Sequence, residues 1–194
     1  MNTNSAPIDI CEYYVLIKPS HAIKEEVKSM KLNFLKEQGA YIGQNSNAHI
    51  SLMSFFQLED KEERLVFSVQ EAMKVCQEFD LFLNGFGFSP SDNSFFIDVL
   101  DKQPLIHLYH QLRTNLFKQL SSISFLRGGF LPQMNIGCAT SSMQYMKAIK
   151  TYEGKMYTNN FRVFQLTILK RKAPFRTWEK LTEVSVGDLV NQEW

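Results

Sequence analysis

Apolar and polar positions repeat along the chain with two different periods. Glu12–Lys18 (EYYVLIK) is aromatic and β-branched and stops at Pro19, which predicts a strand. Ser20 then caps a helix to about Gln38: Ile23, Val27, Met30 and Phe34 are spaced 4, 3 and 4, Lys24, Glu25, Lys28 and Lys31 take the wet face, and Gly39 ends it. Ala48–Phe56 reads as a second strand and Lys61–Cys76 as a helix, with Leu65, Val69, Ala72 and Cys76 on one stripe. Two strands follow, about Phe79–Phe88 and Ser94–Leu100, around the turn Ser89-Pro90-Ser91-Asp92-Asn93. Leu105–Leu120 is a third helix with Leu105, Leu108, Leu112 and Leu116 inward, Leu131–Ala139 a strand, and Ser142–Thr151 a short helix. Phe161–Lys170 and Trp178–Val186 close the chain around Lys172-Ala173-Pro174. The order βαβα-ββ-αβα-ββ predicts an α+β fold, with mixed or antiparallel pairing in two sheets. No low-complexity linker divides it, so residues 1–194 read as one domain, with tails at about 1–10 and 187–194.

Composition narrows the class. The 194 residues are 44% apolar, 13% aromatic and 21% charged, which excludes collagen, coiled coil and wholesale disorder. A chain of this length buries roughly 70% of its unfolded surface and folds without disulfides or metal. Lys plus Arg is 21 against 20 Asp plus Glu, for a net charge of +1, so no global field draws it to nucleic acid or membrane. Cys11, Cys76 and Cys138 are odd in number and far apart, without zinc spacing. They are expected to be free thiols, with Cys76 and Cys138 buried as small apolar residues, as suits a reducing compartment. Residues 1–9 lack the basic start and apolar run of a signal peptide, and no stretch approaches a membrane helix. A cytoplasmic, monomeric protein is the expectation.

Two polar pairs carry candidate chemistry. In Ala48–Phe56, strand alternation puts His49, Ser51 and Met53 on one face and Ile50, Leu52 and Ser54 on the other. An imidazole exchanges protons near neutral pH and a hydroxyl donates to a phosphate oxygen. Read alone, the tripeptide equally describes a satisfied histidine on a half-buried strand. In Phe130-Leu131-Pro132-Gln133-Met134-Asn135-Ile136-Gly137 the same alternation groups Gln133, Asn135 and Gly137, leaving Met134, Ile136 and Cys138 opposite. The two pairs lie close to half the chain apart, each at a strand start and each before a helix, as two arms of one groove would. His107 and His110 fall off the leucine stripe of their helix and His21 at a helix start, so all three read as surface residues. Lys170, Arg171, Lys172 and Arg176 form a basic turn, either a solvated hairpin tip or a phosphate-contacting loop. Among the 16 phenylalanines, Phe55, Phe88 or Phe130 are candidates for lining a groove.

From Tyr13 to about Val186 this arrangement resembles the 2H phosphoesterase superfamily, the 2′-5′ RNA ligase and cyclic phosphodiesterase-like proteins. The resemblance rests on YYVLIKPS, AHISL, FLPQMNI and the strands around KRKAPF. It implies a bilobal α+β fold with pseudo-twofold symmetry: two antiparallel-rich sheets around a central groove, helices outside. The family signature is two copies of His-x-Thr/Ser-x, one histidine acting as general base and the other as general acid on a 2′,3′-cyclic or 2′-5′ phosphodiester. No metal or other cofactor is implied. His49 and Ser51 match the first copy as catalytic residues. In the second, Gln133 stands at the histidine position and Asn135 at the threonine position; with Arg171 they are the expected substrate-binding residues. Both amides donate hydrogen bonds to phosphate, but Gln133 does not exchange protons at neutral pH. The implied ligand is a small nucleotide or RNA-end phosphodiester. Three readings follow: a cyclic phosphodiesterase using His49 and an unidentified second group, a binding module that holds the ligand without cleaving it, or a scaffold of the same fold.

Overall fold

The computed structural model describes residues 9–120, 123–125, 130–172 and 177–187. Its elements are β1 (Ile10–Ile17), α1 (His21–Gln38), β2 (Ile50–Leu58), α2 (Glu62–Lys74), β3 (Phe79–Ser89), β4 (Ser94–Val99), α3 (Gln103–Gln119), β5 (Ser124–Phe125), β6 (Gln133–Cys138), α4 (Ser142–Tyr152), β7 (Thr158–Val163), β8 (Gln165–Lys172) and β9 (Glu179–Ser185). The caps are those that local chemistry demands. The Ser20 hydroxyl accepts from the Ile23 amide, the Ser141 hydroxyl accepts from the Gln144 amide, and Gly39 closes α1 at φ 80°. The turn beyond Lys172, with Arg176, lies outside the described residues.

Two antiparallel halves, β7-β3-β4-β6 and β2-β1-β8-β9, form a single sheet. They are joined where β2 meets β6, at the pair Ile50↔Met134. These two residues are the centres of the two polar pairs, and both are fully buried. The expected strand Phe161–Lys170 is two strands broken at Phe164: β7 pairs with β3 and β8 with β1. With one residue between them, the outer edge of one half lies beside the other half, so the sheet curls round. On the core face, Phe34 of α1 meets Phe95 of β4 at 4.8 Å and Tyr152 of α4 stacks on Phe95 at 5.8 Å. The helix α2 packs on α3 and β9, and Tyr13 of β1 donates to Glu62.

Simple alternation fails at two places, in the same way. The β1–β2 register slips between Leu16↔Ser51 and Val15↔Met53, leaving Leu52 as the extra residue. The β4–β6 register slips between Phe96↔Asn135 and Phe95↔Gly137, leaving Ile136 extra. Each bulge follows the second polar residue of its pair. Since residues opposite one another share a face, Met53 turns to the core beside Val15 and Ser54 to the cleft beside Tyr14. Gly137 turns to the core beside Phe95. The expected faces of Met53, Ser54 and Gly137 are thus reversed. Lys31, expected on the wet face of α1, is 3% exposed. The thiols also differ from expectation: all three are free, but Cys11 is the buried one, and Cys76 and Cys138 are half-buried.

Candidate functional site

Because Ile50 and Met134 are paired and buried, their polar flanks emerge on the opposite face, over the junction of the halves. The antiparallel sense puts Ser51 on the Gln133 side of that pair and His49 on the Asn135 side. Ser51, Gln133 and Asn135 line a cleft of about 570 Å³ together with Tyr14, Tyr109, Phe130 and Trp178. Gln133 spends one of its two Nε2 hydrogens on the Asn135 side-chain oxygen, at 2.9 Å, and the remaining amide N–H groups suit a phosphate oxygen.

His49 lies just before β2, at the end of a loop that α1 holds in place. The Lys31 ammonium donates to Gly43 O (3.0 Å), Ser46 O (2.8 Å) and Ser46 Oγ (2.8 Å), and Ile42 pairs with Cys138. The loop ends by offering Asn47 O to His49 Nδ1 at 2.7 Å. A carbonyl only accepts, so Nδ1 carries the proton and Nε2 of the neutral ring is an acceptor. Its partner is the Tyr14 hydroxyl at 2.8 Å, which also contacts Ser51 Oγ. Burial lowers the His49 pKa, the Asn47 carbonyl opposes that shift, and the Lys31 charge adds to it. Burial raises the Tyr14 pKa against the effect of Ser51. The imidazole therefore meets the cleft through Tyr14.

Burial also lowers the Lys31 pKa from 10.5 to about 8. Between those values the unfolded chain binds more protons than the folded one, so stability from this group rises with pH. Urea unfolding of wild type and Lys31→Met at pH 8 and pH 10 is expected to show wild type gaining on the variant as pH rises. A constant difference would refute the buried-ammonium assignment.

Aromatic pairs form the walls. Tyr14 lies 5.4 Å from Trp178, over which the Arg171 guanidinium sits at 4.5 Å. Tyr109 and Phe130 stack at 5.1 Å. Two carboxylates also line the cleft. Glu12 pairs with Arg171, accepting from Nε at 3.0 Å. Burial alone raises the Asp92 carboxyl pKa, but hydrogen bonds from Ser89 and Ser94 hold it below its ordinary value.

Of the residues singled out in the sequence, the structure gathers Ser51, Gln133 and Asn135 in one cleft, with His49 behind Tyr14 and Arg171 at the rim through Trp178 and Glu12. Lys170 pairs with Glu59 and Glu62, and Lys172 with Asp9 and Glu59. His21, His107 and His110 are exposed. Phe130 lines the cleft, whereas Phe55 is core against Tyr13. Tyr14, Tyr109, Trp178, Glu12 and Asp92 escape the sequence reading. Only Tyr14 carries a signal, since it alternates with the buried Tyr13 and Val15. Among the described residues, no group of three or more His, Cys, Asp or Glu gathers to hold a metal, and no helix is long and apolar enough to cross a membrane.

Comparison with known proteins shows the family and the fold. Residues 19–174 match the family model of the 2′-5′ RNA ligase superfamily. The fold is similar to that of Escherichia coli LigT solved with 3′-AMP: TM-score 0.67 and 14% identity, over 93% of this chain and 100% of that one. It is also similar to a Thermus thermophilus protein, TT0787: TM-score 0.69 and 11% identity, over 91% and 98%. A protein solved as a phosphoesterase gives TM-score 0.65 and 15% identity over 94% and 99%. A search of curated proteins finds no match. The family model matches most of the chain and the bilobal fold agrees with it: this chain belongs to the 2′-5′ RNA ligase superfamily, within the 2H phosphoesterases.

Proposed function

We propose that the chain binds a nucleotide or RNA-end phosphodiester, 2′,3′-cyclic or 2′-5′ linked, and turns it over slowly or not at all. The observation that carries this reading is the Ile50↔Met134 pair, which sets a hydroxyl and two amides around one cleft while His49 meets that cleft through Tyr14. The amides supply neutral donors to a diester oxygen, and the aromatic walls supply stacking surfaces for bases. E. coli LigT has been solved with 3′-AMP, ATP and phosphate, which favours a nucleotide-sized ligand here. A general acid–base pair needs two groups that exchange protons near neutral pH, and Gln133 is not one. The three free thiols fit a reducing, cytoplasmic setting.

The test is a screen of 2′,3′-cyclic nucleotides and 2′-5′ linked oligonucleotides for both binding and hydrolysis, in wild type and in Trp178→Ala. Base stacking is worth about 1–3 kcal/mol, so Trp178→Ala is expected to weaken binding by about 5- to 150-fold. Unchanged affinity in Trp178→Ala, or failure of every probe to bind, would sink this reading. Fast wild-type hydrolysis that requires His49 would mean that another group serves as its partner.

A further inference from the structure

Two directions are open to the hydrogen-bond chain Asn47 O···His49···Tyr14···Ser51. With His49 neutral, Nδ1–H donates to Asn47, so Nε2 accepts from the Tyr14 hydroxyl. The Tyr14 oxygen then accepts from Ser51, whose proton points away from the cleft and whose lone pairs face into it. With His49 protonated, Nε2–H donates to the Tyr14 oxygen, the phenol donates to Ser51 Oγ, and the Ser51 proton is released toward the cleft. A phenol both donates and accepts, which lets it pass this reversal from the imidazole to the serine.

We infer that Tyr14 is a positioning residue that couples anion binding at Ser51 to proton uptake at His49. A diester oxygen at Ser51 needs a hydroxyl donor and therefore selects the state with His49 protonated; by linkage, a proton on His49 tightens the anion by the same factor. Lobe symmetry supports a specialised role. Across the bulges, the counterpart of Tyr14 (opposite Ser54) is Ser94 (opposite Cys138). Ser94 donates to Asp92, and the second polar pair is closed by its own Gln133–Asn135 bond. Only the half that keeps its imidazole has a phenol between imidazole and hydroxyl. The charged groups facing this chain are Lys31 of α1, whose field disfavours His49 protonation, the Glu12 and Asp92 carboxylates of the cleft, and Arg171 of β8, which pairs with Glu12 and lies over Trp178 beside Tyr14.

The anion half of this inference rests on the proposed function, so its test has two independent arms. In the ligand-free protein, nitrogen NMR of neutral wild-type His49 is expected to find the proton on Nδ1. Tyr14→Phe removes a partner that the ring holds in both states, and the bond is stronger when the protonated ring donates it, so the variant is expected to lower the His49 titration midpoint by about 0.4–1 pH unit. A neutral ring protonated on Nε2, or a midpoint that stays or rises in Tyr14→Phe, overturns the relay. In the second arm, calorimetry of 2′,3′-cyclic AMP at pH 7.5 in buffers of different ionisation enthalpy counts protons. Wild type is expected to take up a measurable fraction of a proton per ligand, and both Tyr14→Phe and Ser51→Ala close to none. Ser51→Ala keeps the Tyr14–His49 bond, so its own His49 midpoint should stay near wild type, a control for any general loss of structure. Binding without uptake in wild type, or equal uptake in Tyr14→Phe, overturns the relay. If neither cyclic AMP nor inorganic phosphate binds, the proposed function fails, and the NMR arm alone decides whether Tyr14 governs His49.

Discussion

Gln133→His is expected to raise hydrolysis of a 2′,3′-cyclic nucleotide about 10²–10⁴-fold over wild type. That is the usual contribution of a positioned general acid or base, about 3–5 kcal/mol of transition-state stabilisation. Gln133 already lines the cleft, one step from the central pair that carries Ile50. An imidazole there faces the ligand directly, while His49 exchanges its proton through Tyr14. In the completed reaction one of these groups takes a proton from water as its oxygen attacks phosphorus, and the other protonates the ribose oxygen as its bond to phosphorus breaks. Adding Asn135→Thr restores a hydroxyl of the family's kind and is expected to raise turnover further. Steady-state rates of the single, the double, and each combined with His49→Ala check this. His49→Ala is expected to return every variant to the wild-type floor. Activity in Gln133→His that survives His49→Ala would place the chemistry elsewhere. No gain in a folded Gln133→His would mean that the cleft no longer holds the phosphate between its two strands.

The sequence shows the ingredients of this site more clearly than their phase. α1 is readable almost to the residue, because Ser20 and Gly39 are local signals and the helical period persists between them. The motif strands are readable as strands for similar reasons. Their bulges are not, because a bulge is a relation between two strands: nothing within residues 50–54 says that Leu52 lacks a partner in β1, or that Phe95 faces Gly137 across Ile136. The consequence is that Ser54 and Gly137 occupy faces opposite to those period-2 counting assigns. Lys31 shows the same limit in a helix. Its charge argues for solvent, but Gly43 and Ser46 bring three oxygens to its ammonium, and those contacts depend on a loop twelve or more residues away. The break at Phe164 escapes because no Gly or Pro interrupts residues 158–172, and only the curl of the sheet separates the partners of β7 and β8. Tyr14 is visible as the outward member of Tyr13-Tyr14-Val15, whereas Trp178 stands beside Arg171 and Tyr14 only once β9 has paired with β8.

Gly137→Ala is expected to destabilise the protein markedly, for reasons of space and not of backbone conformation. Gly137 is absent from the positive-φ glycines, so alanine fits its backbone, and the lower entropy of the unfolded chain favours alanine by about 0.4–1 kcal/mol. Against that, a Cβ would lie 2.3 Å from Tyr41 Cε2, 2.5 Å from Cδ2 and 2.9 Å from Ile42 O. The ring has little room to yield. It meets Phe34 at 5.1 Å and Phe95 at 5.7 Å, and its hydroxyl donates to Lys31 O at 3.1 Å. The carbonyl of Ile42 is also fixed, since it accepts from the Cys138 amide at 2.9 Å. Overpacking a core costs about 1–3 kcal/mol. With an aromatic wedge and a paired carbonyl both in the way, we expect the upper end of that cost, which less the gain from the unfolded chain leaves about 2 kcal/mol of net destabilisation. Urea unfolding should show a lower midpoint at unchanged slope, which assigns the loss to the folded state. Tyr41→Leu removes the ring that blocks position 137, so the double variant should be less destabilised than the sum of the two singles, a coupling expected of residues in contact. A Gly137→Ala protein as stable as wild type would show that Tyr41 moves freely. The loop from Tyr41 to Asn47, and with it the carbonyl that sets the His49 tautomer, would then be far less firmly held than its bonds to Lys31 and Cys138 imply.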